Sequence, residues 1–132
     1  MEIHLKIVGV LLMILAIIHI AFPKYFDWKN ELSGLNLINK QMMLAHTFFI
    51  ALTVFMMGLL CLSCSSELLG TDLGHKILFG LGIFWVIRLY FQFFFYSKDL
   101  WKGKRFETWM HVVFAFFWIY ISCLFFYTSI FN

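Results

Sequence analysis

Four apolar runs divide the chain, separated by three shorter and more polar stretches. They cover about residues 5–22, 42–64, 77–96 and 108–131. Each approaches or exceeds the roughly 20 residues that cross a hydrocarbon core as an α-helix. Helices are required there, because lipid offers no partner for a backbone N–H or C=O. The pattern therefore predicts an all-α integral membrane protein: a four-transmembrane-helix bundle, folded as a single domain over 1–132. The first run is the shortest and ends at His19-Ile20-Ala21-Phe22-Pro23. No small-x-small cleavage site follows it, so it reads as a span and not as a signal peptide. Pro23, which lacks an N–H, is expected to end that helix. Neither end of the chain is expected to add an extramembrane domain.

The connections differ in character. The first, Lys24 to Gln41, reads KYFDWKNELSGLNLINKQ. Asp27 would cap a short helix whose apolar stripe is Trp28, Leu32 and Leu35, weakened by Gly34. Tyr25, Phe26 and Trp28 would anchor it at the membrane surface. This predicts a short interfacial helix in the first loop, with an irregular loop as the alternative. The second connection, Ser65 to Gly74, is short and punctuated by glycine. The third, Ser97 to Phe106, is the most basic part of the chain. Gly80 and Gly82, early in the third run, would allow close helix contact.

Composition agrees with this division. The chain is 63% hydrophobic and 13% charged, well outside the usual soluble range of about one half and one quarter. A net charge of +3, with no basic run interleaved with aromatics, excludes nucleic acid as the expected partner. The lipid bilayer, other membrane proteins or further copies of the chain are the expected partners. Lys24, Lys29 and Lys40 in loop one and Lys98, Lys102, Lys104 and Arg105 in loop three lie on one side. Lys6 and Lys76 lie on the other. Basic loops stay in the cytoplasm. Loops one and three are therefore expected to be cytoplasmic and both termini extracytoplasmic, as in a bacterial inner membrane.

Polar residues inside the runs are the candidate chemistry. The third run, ILFGLGIFWVIRLYFQFFFY, carries Arg88 and Gln92. A guanidinium keeps its charge in lipid, so Arg88 must face protein, water or a bound group. Arg88, Gln92 and Tyr96 are spaced four apart and share one helical face. His19, His46 and His111 sit near the ends of the other runs, and Glu107 shares a face with His111. At 1.5 Å per residue the histidines and Gln92 lie roughly 4–7 Å below the cytoplasmic end, with Arg88 one turn deeper. These four runs would thus deliver a His/Arg/Gln site on the cytoplasmic side, with Glu107 as the expected countercharge of Arg88.

Several chemistries use such a layer. Two histidines would hold a bis-histidine haem b, with Arg88 on its propionates. Alternatively, His19, His46, His111 and Glu107 would hold a transition metal with an open position, for redox or hydrolytic work. No HxxxH or ExxH pair is present, so the signal lies in position and not in a motif. A third option needs no metal. Arg88, Lys40 and the loop-three cations would bind a phosphate or carboxylate, with a histidine as acid or base. A non-catalytic alternative is an accessory subunit of a larger membrane complex.

Cys61 and Cys64 form a CxxC at the outer end of the second run. In this element and in helix count the chain resembles the quinone-coupled disulfide-forming membrane oxidoreductases and the vitamin K epoxide reductase family. That resemblance implies thiol–quinone redox chemistry. The chain departs from those enzymes in having no second loop pair of cysteines, since only Cys123 remains. Two cysteines three apart in an apolar helix also behave as small packing residues. In size and histidine content the chain is similar to the small haem-containing membrane protoporphyrinogen oxidases, although no motif of that family lies on these residues.

The charge asymmetry generates a direct expectation. In a cysteine-free background, a membrane-impermeant thiol reagent on whole cells should label Asn132→Cys and leave Lys102→Cys untouched. The opposite pattern would reverse the orientation.

Overall fold

The computed structural model describes residues 1–100 and 102–131. Asn132, the terminal position of the orientation test, lies outside them. Among the described residues the chain is 88% helical, without strands. Four helices are long and apolar enough to cross a membrane: Glu2–Tyr25, Leu37–Ser63, Asp72–Phe95 and Arg105–Phe131. They belong to two compact units, Glu2–Ser65 and Ser66–Asn132, which we describe separately.

The first unit is an antiparallel helix pair. Helix α1 (Glu2–Ile18) continues through a 3-10 turn, His19–Ala21, into a single helical turn, α2 (Phe22–Tyr25). Pro23 therefore does not end the helical path. The change of geometry comes before it, and proline then occupies the first turn of α2, where a missing N–H costs nothing. The first loop holds no continuous surface helix. It forms α2 and a second single turn, α3 (Trp28–Glu31), followed by tight turns. Asp27 adopts a left-handed backbone (φ 52°) and its carboxylate makes no cap. It instead accepts hydrogen bonds from Asn30 Nδ2 at 3.0 and 3.2 Å.

Helix α4 (Leu37–Ser63) starts several residues before its apolar run. Leu5, Val8, Leu12, Leu15 and Ala16 of α1 form one buried stripe, and Val54, Gly58 and Cys61 are buried on α4. The outer faces of these helices are apolar too, so hydrophobicity alone does not single out this stripe, and close packing selects it. Gly9 and Gly58 supply the closest approach. A Cβ on either would lie 2.6 Å from the other's carbonyl oxygen. At the chain-end side, Glu2 pairs with Lys6 at 2.9 Å and accepts from Ser65 Oγ at 3.2 Å.

In the second unit the expected loop Ser65 to Gly74 is largely a short helix, α5 (Ser65–Gly70). Thr71 then caps α6 (Asp72–Tyr90) by accepting the Gly74 N–H at 2.9 Å. His75 Nε2 donates to the Leu69 carbonyl at 2.8 Å, satisfying an acceptor at the end of α5. Helix α6 passes into a π turn, Phe91–Phe95, and stops at Tyr96, whose backbone is extended. A 3-10 turn, Lys98–Leu100, leads toward α7 (Arg105–Phe131). Helices α6 and α7 run antiparallel, as the paired contacts Phe79–Phe126, Trp85–Trp118 and Gln92–His111 show. Gly82 meets the Phe126 ring, where a Cβ would lie 3.1 Å away, whereas Gly80 faces open space. Only one of the two expected glycines serves helix contact. The buried Thr128 hydroxyl is satisfied within its own helix, donating to the Leu124 carbonyl at 2.8 Å.

The glycine contact sets a stability expectation. Gly58→Val should weaken the α1–α4 pair by about 1–3 kcal/mol through overpacking. Gly80→Ala, in open space, should be neutral or stabilising by up to about 1 kcal/mol, because alanine is the better helix former. Reversible denaturant unfolding of the purified protein in micelles compares the two.

Candidate functional site

The strongest cluster of polar groups lies near the loop end of the α6–α7 pair. Arg88 Nη1 donates to Gln92 Oε1 at 3.3 Å, and Gln92 Nε2 lies 2.8 Å from His111 Nδ1. An amide nitrogen can only donate, so His111 Nδ1 accepts. The two contacts fix each other. Turning the amide over would set its NH₂ against the guanidinium. The tautomer that fits this contact carries its proton on Nε2. Ligating a metal through Nε2 would move that proton to Nδ1 and break the Gln92 contact.

The π turn builds this arrangement. The Tyr96 N–H reaches back five residues to the Phe91 carbonyl at 3.3 Å. Such insertions recur at functional positions. Here Gln92 is buried between the helices, at 8% exposure. Arg88 is half-buried. Its guanidinium carbon lies 5.5 Å from the Tyr96 ring centroid and 5.3 Å from that of Trp118. Trp118 in turn stacks on Trp85, with centroids 4.9 Å apart and planes 15° from parallel. Both indoles are buried, and neither Nε1 has a hydrogen-bond partner among the described residues.

The expected Arg88–Glu107 ion pair does not form; among the described residues no carboxylate lies within 4 Å of Arg88. Its partners are one amide and two aromatic faces. Cation–π contacts of about 0.5–2 kcal/mol each hold the guanidinium in place. They do not neutralise it, and among the described residues only one of its five N–H groups has a protein acceptor.

The other expected residues are placed as follows. Glu107 is half-buried in the first turn of α7. His19 and His46 belong to the first unit. His19 is half-buried in the 3-10 turn, where its Nδ1 donates to the Leu15 carbonyl at 2.8 Å and its ring meets Phe22 at 4.7 Å. His46 is exposed on α4. Within neither unit do three or more His, Cys, Asp or Glu groups gather at metal-binding range among the described residues. The haem or metal reading gains no support from this geometry. Cys61 is fully buried, while Cys64 is half-buried and follows the last residue of α4; all three cysteines are free thiols.

Trp85 and Trp118 were missed as site residues. Helical spacing carried the signal: Trp85 is three residues before Arg88, and Trp118 is seven after His111 on one face of α7. Comparison of the chain with protein families, curated proteins and solved structures finds no match. What stands is the class: an all-helical chain with four helices fit to cross a membrane and a polar chain set between two of them.

A double-mutant cycle tests the polar chain. Gln92→Ala and His111→Ala should show a coupling of about 0.6–1.7 kcal/mol, the range of interhelical hydrogen bonds in membrane proteins. Strictly additive effects on unfolding in micelles would mean that the contact contributes nothing.

Proposed function

We propose that the chain is an integral membrane protein that binds an oxyanion, the carboxylate or phosphate of an acidic amphiphile, at Arg88. In this reading loops one and three face the cytoplasm of a bacterial inner membrane. One observation carries the proposal: Arg88 is a half-buried guanidinium in an apolar helix pair, and among the described residues no carboxylate pairs with it. An intramembrane charge is costly unless it is paired, and arginine pairs with carboxylate and phosphate through two parallel N–H bonds. The Tyr96 and Trp118 rings hold the guanidinium plane, and Gln92 occupies one donor. The remaining N–H groups supply the anion contact. Gln92 and His111 act as positioning residues, keeping Arg88 from swinging toward the water.

A subunit role in a larger membrane complex is the second reading. The observation favouring it is an apolar groove of about 390 Å³ along α6 and α7, lined by Val86, Leu89, Ile119, Cys123 and Phe126 among others. Side chains of a partner helix would fit such a groove.

Native mass spectrometry of the purified full chain, with oleate and phosphatidate as probes and oleyl alcohol as the uncharged control, separates the readings. The wild type should retain an acidic probe over the alcohol. Arg88→Gln should lose roughly tenfold or more of that preference, as expected for a charged hydrogen bond of about 1.5–3 kcal/mol. Arg88→Lys should recover only part of it, because an ammonium lacks the planar fork. An unchanged preference in Arg88→Gln would refute the site and leave the subunit reading.

A further inference from the structure

We infer that the cleft at the start of α7, lined by residues between Gly103 and Trp109, is a second and separate site, one that binds the headgroup of an acidic phospholipid. The inference rests on the membrane placement proposed above but not on the Arg88 site. Lys98, Lys102, Lys104 and Arg105 are all exposed here. The acids in the same stretch are Asp99 and Glu107, and neither forms an ion pair with these cations among the described residues. Four cations against two acids leave the stretch net positive, with none of the cations held in an ion pair among the described residues.

The backbone gathers that charge. Gly103 has φ +76°, a conformation that other residues rarely adopt, and it reverses the chain between Lys102 and Lys104. Gly103, Lys104, Arg105, Thr108 and Trp109 line a cleft of about 300 Å³. Its composition is two-sided. Lys104 and Arg105 supply cations, while Trp109, 64% exposed, supplies an indole wall. Phe106, next to the cleft, is 57% exposed. Tryptophan beside basic residues at the end of a spanning helix belongs at headgroup depth.

The pairing of charge with an aromatic wall decides the ligand. Free phosphate would use Lys104 and Arg105 but nothing of Trp109. A phospholipid uses both, with its phosphate on the cations and its glycerol and upper acyl carbons against the indole. A zwitterionic headgroup brings its own ammonium to the same cations and loses part of the attraction. Near an acidic membrane surface each lysine or arginine strengthens binding about fivefold.

The test uses the full chain in micelles carrying phosphatidylglycerol, with phosphatidylcholine as the control, read by native mass spectrometry. Wild type should retain phosphatidylglycerol in preference. Lys104→Gln/Arg105→Gln should lower that preference roughly 25-fold, two cations at about fivefold each. The charge-keeping variant Lys104→Arg/Arg105→Lys should retain it, which separates lost charge from a disturbed turn. Equal retention of the two lipids by wild type, or an undiminished preference in the double glutamine variant, would overturn the inference. So would complete displacement by inorganic phosphate, which would assign the cleft to the free ion. Release of the chain from membranes by alkaline carbonate would overturn the membrane placement as well; a retained chain indifferent to phosphatidylglycerol would overturn this inference alone.

Discussion

A charge that cannot be removed, half-buried in an apolar helix pair, is the constraint around which the α6–α7 pair is built. Arginine stays protonated in any protein setting, so the structure has to accommodate Arg88 and cannot neutralise it. It does so by surrounding the guanidinium. Tyr96 and Trp118 supply π faces, Gln92 supplies an acceptor, and His111 holds Gln92 in turn. Each partner comes from a different part of the pair, so the guanidinium is coupled to the helix crossing itself. The π turn belongs to the same solution, since it is where α6 departs from regular geometry and carries the buried Gln92.

The two helix pairs are packed by different routes. The Glu2–Ser65 pair relies on backbone proximity, with Gly9 against Gly58, and on a narrow stripe of leucine, valine and alanine. Glu2, Lys6 and Ser65 lie at one end and His19 at the other, while Thr47 and Thr53 along α4 donate to carbonyls of their own helix. The second pair instead relies on large rings, with Trp85, Trp118 and Phe125 buried, and carries its polar groups between the helices. Small residues bring backbones together in the first pair, and bulky aromatics frame a polar chain in the second.

Much of the architecture was legible in the chain. Runs of apolar residues long enough to span a bilayer allow only helices, and their number and approximate positions follow from hydropathy alone. Arg88, Gln92 and Tyr96 were recognisable as one face from their spacing, and the structure does bring all three together. The ends of the helices were less legible. They extend past the apolar runs, because polar residues can begin a helix: Asn36 takes an N-cap position, Thr71 caps through its hydroxyl and Arg105 opens a first turn. Pro23 misled because proline is a breaker only inside a helix, and a 3-10 turn had already changed the geometry before it. Asp27 misled because an aspartate before a helical turn can spend its carboxylate on a side chain, here Asn30.

The identity of Arg88's partners was decided by tertiary structure alone. The chain offered Glu107 as a countercharge, and opposite charge is the natural guess. Which side chain reaches the guanidinium depends on the relative rotation and register of α6 and α7. Those are set by Gly82 under Phe126 and by the Trp85–Trp118 stack, contacts between residues more than thirty positions apart. The same holds for the His111 tautomer, which depends on one amide held from both sides. By itself the sequence determined that four long helices would form and that a charged residue lies inside one of them, because the apolar runs have spanning length and Arg88 sits within the third. The packing decided what shelters it, because that is a matter of angles and ångströms between helices that no local pattern encodes.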